Sequence, residues 1–271
     1  MADEITIDEK AGVATARAGR WTYHWRAPTK PFFHPVVTPA GHVLTRDGTT
    51  SHPWHHGLWF TIKFVNDENF WEEYDAYGVL RHVDDTTVHW IRPDRETVVI
   101  VDERTLTHVD LGANDAYAID WDITLTPQVD VVLDRTAFTT WGGYGGLALR
   151  GRGDWTDTRL LLSDGSEHER LLGTPGDWLD LSGSIEGGEA GVLLLHHPTN
   201  PRHPVPWYAS TRAATYGDEG WSNFANAAFL WHAPLEWRAH EPLPFRFRIV
   251  VHDATWDHGR CAAEWRRYTD A

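Results

Sequence analysis

Cysteine is almost absent. Cys261 is the single one in 271 residues, which excludes an internal disulfide and any thiolate-based metal centre and fits a reducing compartment. Long hydrophobic runs are missing too: stretches such as GVLLL at 191–195 are far too short to cross a bilayer, so a soluble chain is expected. Basic residues are scarce, with 24 Lys and Arg against 39 Asp and Glu and a formal net charge of −15. No Lys/Arg stripe is present to neutralise a phosphate backbone, which argues against nucleic acid as a partner. The acidic opening MADEITIDEK has no apolar core of a signal peptide, so a cytoplasmic location and no membrane partner are expected. Neither a G-x-S-x-G elbow nor a phosphate-cradling loop occurs, and HExxH and paired-cysteine metal spacings are lacking. Without a repeat of ~20–50 residues or a low-complexity linker, solenoids, propellers and tethered modules are disfavoured.

What is present is period-two alternation. Tyr117, Ile119, Trp121, Ile123 and Leu125 face one way while Asp120, Asp122 and Thr124 face the other, the pattern of a half-buried strand. The same rhythm recurs at Phe245, Phe247, Ile249 and Val251, at Val129, Val131 and Leu133, and less cleanly from Thr97 to Val109. About fifteen or more strands fit between the Gly, Pro, Asn and Asp punctuation. Helical spacing appears only at Trp256 to Tyr268, behind a candidate Asp257 cap. The expected fold is all-β, a large antiparallel two-sheet sandwich of supersandwich type with a short C-terminal helix, residues 1–271 forming a single domain. The glycine-rich stretch 142–153 is read as a loop whose backbone comes close to a ligand rather than as a domain joint.

Chemistry concentrates in SHPWHHGLWF, Ser51 to Phe60, with three histidines and two tryptophans in ten residues. Imidazole titrates nearest neutrality, so His52, His55 and His56 can move protons or bind a metal without drastic tuning. Upstream, His34 and His42 flank a Thr-Pro-Ala-Gly turn and Arg46 follows. A planar guanidinium there can fix an oxyanion or a ring hydroxyl, unless Arg46 and Asp47 simply pair in a turn. Downstream, NFWEE places Glu72 and Glu73 beside aromatics, where indole contact raises a carboxyl toward neutrality; Glu72 is taken as a candidate acid/base group. Arg150 lies opposite Leu147 and Leu149 by alternation and is a candidate substrate clamp. The proline-rich HHPTNPRHPVPW, His196 to Trp207, reads as a rigid loop offering His196, Asn200, Arg202, His203 and, as a stacking platform, Trp207.

PFFHPVVTPAGHVLTRDG, SHPWHHGLWF with NFW, GGYGGLALR and AGVLLLHHPTNPRHPVPW resemble, in order, the signature blocks of the bacterial methane-oxygenase-like (PmoA-like) family. The resemblance runs from about Pro31 to His252. It implies a soluble β-sandwich protein of a family associated with sugar catabolism and sugar oxidoreductases. More loosely, the plan is similar to galactose-mutarotase supersandwiches, whose members act on pyranosides with His and carboxylate groups.

The resulting expectation is a protein that binds a sugar or possibly oxidised glycoside and acts on it by acid/base chemistry: elimination, hydration, epimerisation or hydrolysis. His55 or His56 moves the proton, Arg150 and Arg202 polarise, and His34, Arg46, His52, His196, Asn200, His203 and Trp207 bind. This requires the two histidine-rich blocks to line one cleft. A non-catalytic carbohydrate-binding or interaction module is the alternative, and a His-ligated metalloenzyme the third reading. Adjacent residues of a strand point to opposite faces, so His55 and His56 cannot both ligate one ion unless the Pro53 region turns, and no metal or other cofactor is expected. Oligomeric state is left open.

Overall fold

The computed structural model describes residues 5–16, 19–139, 141–212 and 220–270. Two antiparallel sheets of nine strands and a small sheet of four, with one helix, make up its regular secondary structure. The first sheet runs Ile5–Asp8, Val13–Ala16, Trp21–His24, Phe32–Val36, Leu58–Thr61, Gly146–Arg150, Phe224–Ala227, Val205–Ser210 and Arg170–Gly176. The second runs Glu167–His168, Thr156–Leu162, Trp178–Ile185, Gly188–His196, Leu243–Asp253, Ala116–Pro127, Val98–Asp110, Thr87–Ile91 and Val79–His82. The large-sandwich expectation holds, and the four-stranded sheet, Leu235–Trp237, Val131–Asp134, Phe64–Val65 and Glu68–Asn69, is an addition.

Alternation explains how the sheets meet. Tyr117, Ile119, Trp121, Ile123 and Leu125 all enter the main core, in register with Phe245, Phe247, Ile249 and Val251 of the neighbouring strand. From the first sheet come Phe33, Leu58, Phe60, Leu147, Leu149 and Ala225, and Phe60 meets Phe245 with ring centroids 5.2 Å apart. Val129, grouped with Val131 and Leu133 on pattern, lies half exposed before the strand begins. The helix, His258–Thr269, is capped by Asp257, whose side chain accepts from the Arg260 amide. Its buried Cys261 and Tyr268 cover the outer face of the second sheet with Trp178, Leu193, Leu195 and Val250. No described helix is long and apolar enough to cross a membrane.

The outer face of the first sheet is different, because the alternate residues Phe32, Trp59, Ala148 and Phe224 form a separate aromatic cluster with Trp71. Gly146–Arg150, expected within a loop, is a central strand here, paired on both sides. The glycines before it face the protein itself: Gly143, at φ +81°, stands where a Cβ would lie 2.2 Å from the Trp231 ring. Trp207 is also corrected. The strand Val205–Ser210 puts it in phase with Val205 and Ala209, fully buried in the main core, with Nε1–H donating to the Gly176 carbonyl at 3.1 Å. Reading that segment as a loop withheld the alternation that turns Trp207 inward and Tyr208 outward. Truncation of such a ring leaves a cavity, so Trp207→Ala is expected to cost about 3–5 kcal/mol in denaturant unfolding. A loss under about 1 kcal/mol would contradict the core placement.

Candidate active site

The histidine cluster sits where the chain turns onto this outer face. Gly57 passes so close to the neighbouring strand that a Cβ would lie 2.2 Å from the Phe33 carbonyl, and its φ of +57° is the left-handed region glycine tolerates. Its amide donates to the Arg46 carbonyl at 2.9 Å, and its own carbonyl accepts from the Arg150 amide at 2.6 Å. One backbone junction thereby ties the segments of Arg46, His56 and Arg150 together, and an isolated antiparallel bridge pairs Asp47 with His56.

His56 lies between two carboxylates: Nδ1 is 2.5 Å from Asp47 Oδ1 and Nε2 is 2.9 Å from Glu73 Oε1. Both ring nitrogens must carry hydrogens to satisfy both oxygens, so the ring is an imidazolium. Burial pulls its pKa down, but the bonds to Asp47 and Glu73 outweigh that and raise it above the ordinary value. Glu73 is fixed from the other side by the buried ammonium of Lys30 and by the Thr29 hydroxyl, which donates at 2.8 Å. Against its own burial, the His56 and Lys30 contacts hold the Glu73 pKa down to about 2. Asp47 is likewise lowered, burial again being outweighed by His56. Phe32 stacks on the imidazolium at 4.9 Å.

His55 has the opposite environment. It is buried among Trp59, Trp71 and Phe224, stacked on His52 at 4.7 Å, and its Nδ1 has no hydrogen-bond partner among the described residues. Burial first, then the neighbouring His52 and Arg150, push its pKa well below the ordinary value, so it is neutral. Arg150 is on this face, as alternation required, and buried. His52 meets Ser51 Oγ through Nδ1 at 2.7 Å. Trp54 and the half-exposed Tyr74, 5.3 Å apart, form an aromatic rim. His34 binds Thr45 Oγ1 through Nδ1 at 2.9 Å and, with Arg46 and Asp47, lines an open cavity of about 670 Å³.

Several expected residues move or change role. Glu72 is buried in an ion pair with Lys63, with Tyr144 O–H donating to it from 3.5 Å; Glu73 is the carboxylate that reaches the histidine. Asn69 causes the exchange, since its side-chain oxygen accepts from the amides of Trp71 and Glu72 in a turn, where strand alternation no longer selects a face. Asp47 pairs with His56 rather than Arg46. Lys30, whose burial lowers its pKa against the pull of Glu73, has no local sequence signature.

The second histidine block does not join this cleft. His196 stacks on His203, which pairs with Asp177 and stacks on Trp265 of the helix covering the other sheet. Asn200 is spent on the Arg246 backbone, donating to its carbonyl and accepting from its amide. Arg202 donates to the carbonyls of Phe229, Ala233 and Pro234, bracing a turn instead of polarising a substrate. The segment reaches the site face one residue beyond the block, at Tyr208, which packs near Tyr144 and Trp231.

Fold and site together define a large antiparallel sandwich with an imidazole–carboxylate cluster on the outer face of one sheet. The chain belongs to DUF6807, a family of unknown function, whose model matches residues 13–266. No curated protein matches it. Among solved structures, a polysaccharide lyase is similar over 97% of this chain at 12% identity and a TM-score of 0.39; this chain spans 34% of that protein. A galactose mutarotase related enzyme from Lactobacillus acidophilus is similar over 94% of this chain and 99% of its own, at 9% identity and a TM-score of 0.39. The methane-oxygenase-like resemblance rests on the sequence blocks alone.

The charge states carry a pH signature. A raised His56 pKa contributes stability that is complete below the ordinary 6.5 and lost as pH rises through the folded value. The lowered Glu73 pKa works the other way, contributing fully above the ordinary 4.5 and losing its share as pH falls toward about 2. Nuclear magnetic resonance titration of the histidine ring protons is expected to put His56 above 6.5 and His55 well below it, with Glu73→Gln lowering the His56 midpoint. A His56 midpoint at or under 6.5 would mean that the double carboxylate clamp is not formed.

Proposed function

We propose that this outer face binds a sugar or glycoside and acts on it by acid/base chemistry, with His56 as the proton-transferring group. The observation that carries the reading is an imidazolium fixed at Nε2 by an anchored carboxylate, while its other partner, Asp47, lines an open cavity. Glu73, held by Lys30 and Thr29, sets the orientation of the ring, as the third member of a catalytic triad does. At Nδ1 the partner is the more accessible one, because the Asp47 side chain is 41% exposed against 18% for Glu73. A sugar oxygen entering from the cavity takes the Nδ1–H in exchange for Asp47. The ring is then placed to protonate a leaving or carbonyl oxygen, and the displaced carboxylate to accept a proton.

Arg150, buried beneath the histidines, contributes fixed positive potential to developing negative charge on the substrate. Trp54 and Tyr74 present rings suited to the C–H faces of a pyranose. Elimination, hydration, epimerisation and hydrolysis all draw on this donor and acceptor pair. The resemblance to methane-oxygenase-like proteins is in keeping with this reading. The proton transfer proposed here uses side-chain groups alone, with both His56 nitrogens bonded to carboxylates. A non-catalytic carbohydrate-binding module is the second reading, favoured by the same saturation of His56: a ring with both nitrogens occupied also serves as a static brace.

Turnover on a panel of native and 3-keto glycosides separates the two. His56→Ala is expected to lower kcat about 10²–10⁴-fold, the usual worth of a general acid or base, while sugar binding persists. Unchanged turnover in the variant would remove His56 from the chemistry, and binding without turnover by the wild-type protein would establish the binding module.

A further inference from the structure

The cavity beside Asp47 is more than an entrance. Its lining includes His34, Thr45, Arg46, Asp47, Arg152 and Asp154, with no Phe, Tyr or Trp among the described residues. At about 670 Å³ it is within the ~300–1,000 Å³ typical of sites for drug-sized ligands. The aromatic rim formed by Trp54 and Tyr74 is made of different residues, so the site has an aromatic part and a polar part. Asp47 connects the cavity to the proposed proton-transferring ring, lining the one while bonding to His56 Nδ1.

The polar part is prearranged. Arg152 is locked to Asp154, Nε donating to Oδ1 at 2.7 Å and Nη2 to Oδ2, which fixes the guanidinium plane and leaves Nη1 uncommitted among the described residues. His34 is held at Nδ1 by Thr45, whose hydroxyl also accepts from the Val36 amide at 3.0 Å, so its Nε2 remains available. Two guanidiniums, two carboxylates and an imidazole thus line the cavity with charges that offset, Arg152 and His34 each keeping a nitrogen without a partner among the described residues. That pattern suits a neutral ring carrying many hydroxyls, each of which both gives and accepts a hydrogen bond. An anion would meet Asp47 and Asp154, and an apolar group would take the place of water around Arg152 Nη1 and His34 Nε2 without offering them a hydrogen bond.

We infer that the cavity lined by His34, Arg46, Asp47, Arg152 and Asp154 is a subsite for a second sugar unit, which makes the substrate an oligosaccharide or a glycoside of disaccharide size or larger. The inference rests on the sugar-binding reading of the site. The bond acted on then lies at Asp47 and His56, where the two parts join, with one unit against the aromatic rim and the next in the polar cavity.

Calorimetric titration of the full chain tests this with glucose and galactose against cellobiose, maltose, lactose and their trisaccharide homologues. At least one disaccharide is expected to bind tenfold or more tightly than its monosaccharide. In Arg152→Ala and Asp154→Ala, each checked for an unchanged melting temperature, that ratio is expected to fall toward one. Monosaccharides binding as tightly as every longer homologue would overturn the second subsite and leave the sugar site standing. A ratio that persists in both variants would overturn the assignment to this cavity. Binding of no sugar in the panel would overturn the parent reading and the subsite with it.

Discussion

The relay from Lys30 through Glu73 to His56 and Asp47 is the arrangement on which the candidate site depends. Lys30 is 2% exposed and Glu73 accepts three bonds, so each charge is stable there only because the next one faces it. Removing one member of such a chain leaves a buried charge without compensation, a cost of several kcal/mol by general experience of buried pairs, ~3–5. Replacing the whole set by apolar side chains would often cost little, so the relay is a poor device for stability. A function that needs a doubly protonated, rigidly oriented ring gives it a purpose.

The rest of the fold serves to bring those groups to one place. Lys30 lies just before the strand that begins at Phe32, His56 just before the next one, which carries Trp59, and Arg150 and Phe224 end and begin the two beyond, with Phe32, Trp59 and Phe224 in one cluster on the outer side of the first sheet. The Asn69 turn, set against these strands, converts separations of 17 to 43 residues along the chain into contacts of hydrogen-bond length with Glu73. The inner side of the same strands carries the main core, so the site is built on elements that cannot shift without disturbing the packing against the second sheet. His55 shows how steeply conditions change over one residue. It is neutral against aromatic rings, while His56 beside it is charged between carboxylates.

Much of this was legible where periodicity is local. Tyr117 to Leu125 declared their face, Trp256 to Tyr268 their helix with the Asp257 cap, and Arg150 its side of the strand. The density of imidazole at His52 to His56 marked the site. The carboxylate partners were harder, because an ion pair between distant strands leaves no spacing to read: Lys30 has no local mark, and Asp47 was seen only as a companion of Arg46. Glu72 and Glu73 stood together in the sequence, and the Asn69 turn decided between them. The block from His196 to Trp207 misled for a physical reason. Its polar residues are spent on backbone groups, on Asp177 and on the helix, the ordinary work of a proline-stiffened connection.

In the proposed function the face carrying His56 is where a sugar is held. A crystal structure of the protein soaked with an oligosaccharide that binds in solution addresses it most directly. A sugar oxygen is expected within hydrogen-bond distance of His56 Nδ1 or of Asp47, with rings on both sides of that point. A saccharide seated instead against His196, His203 and Trp265, with the His56 face empty, would contradict it.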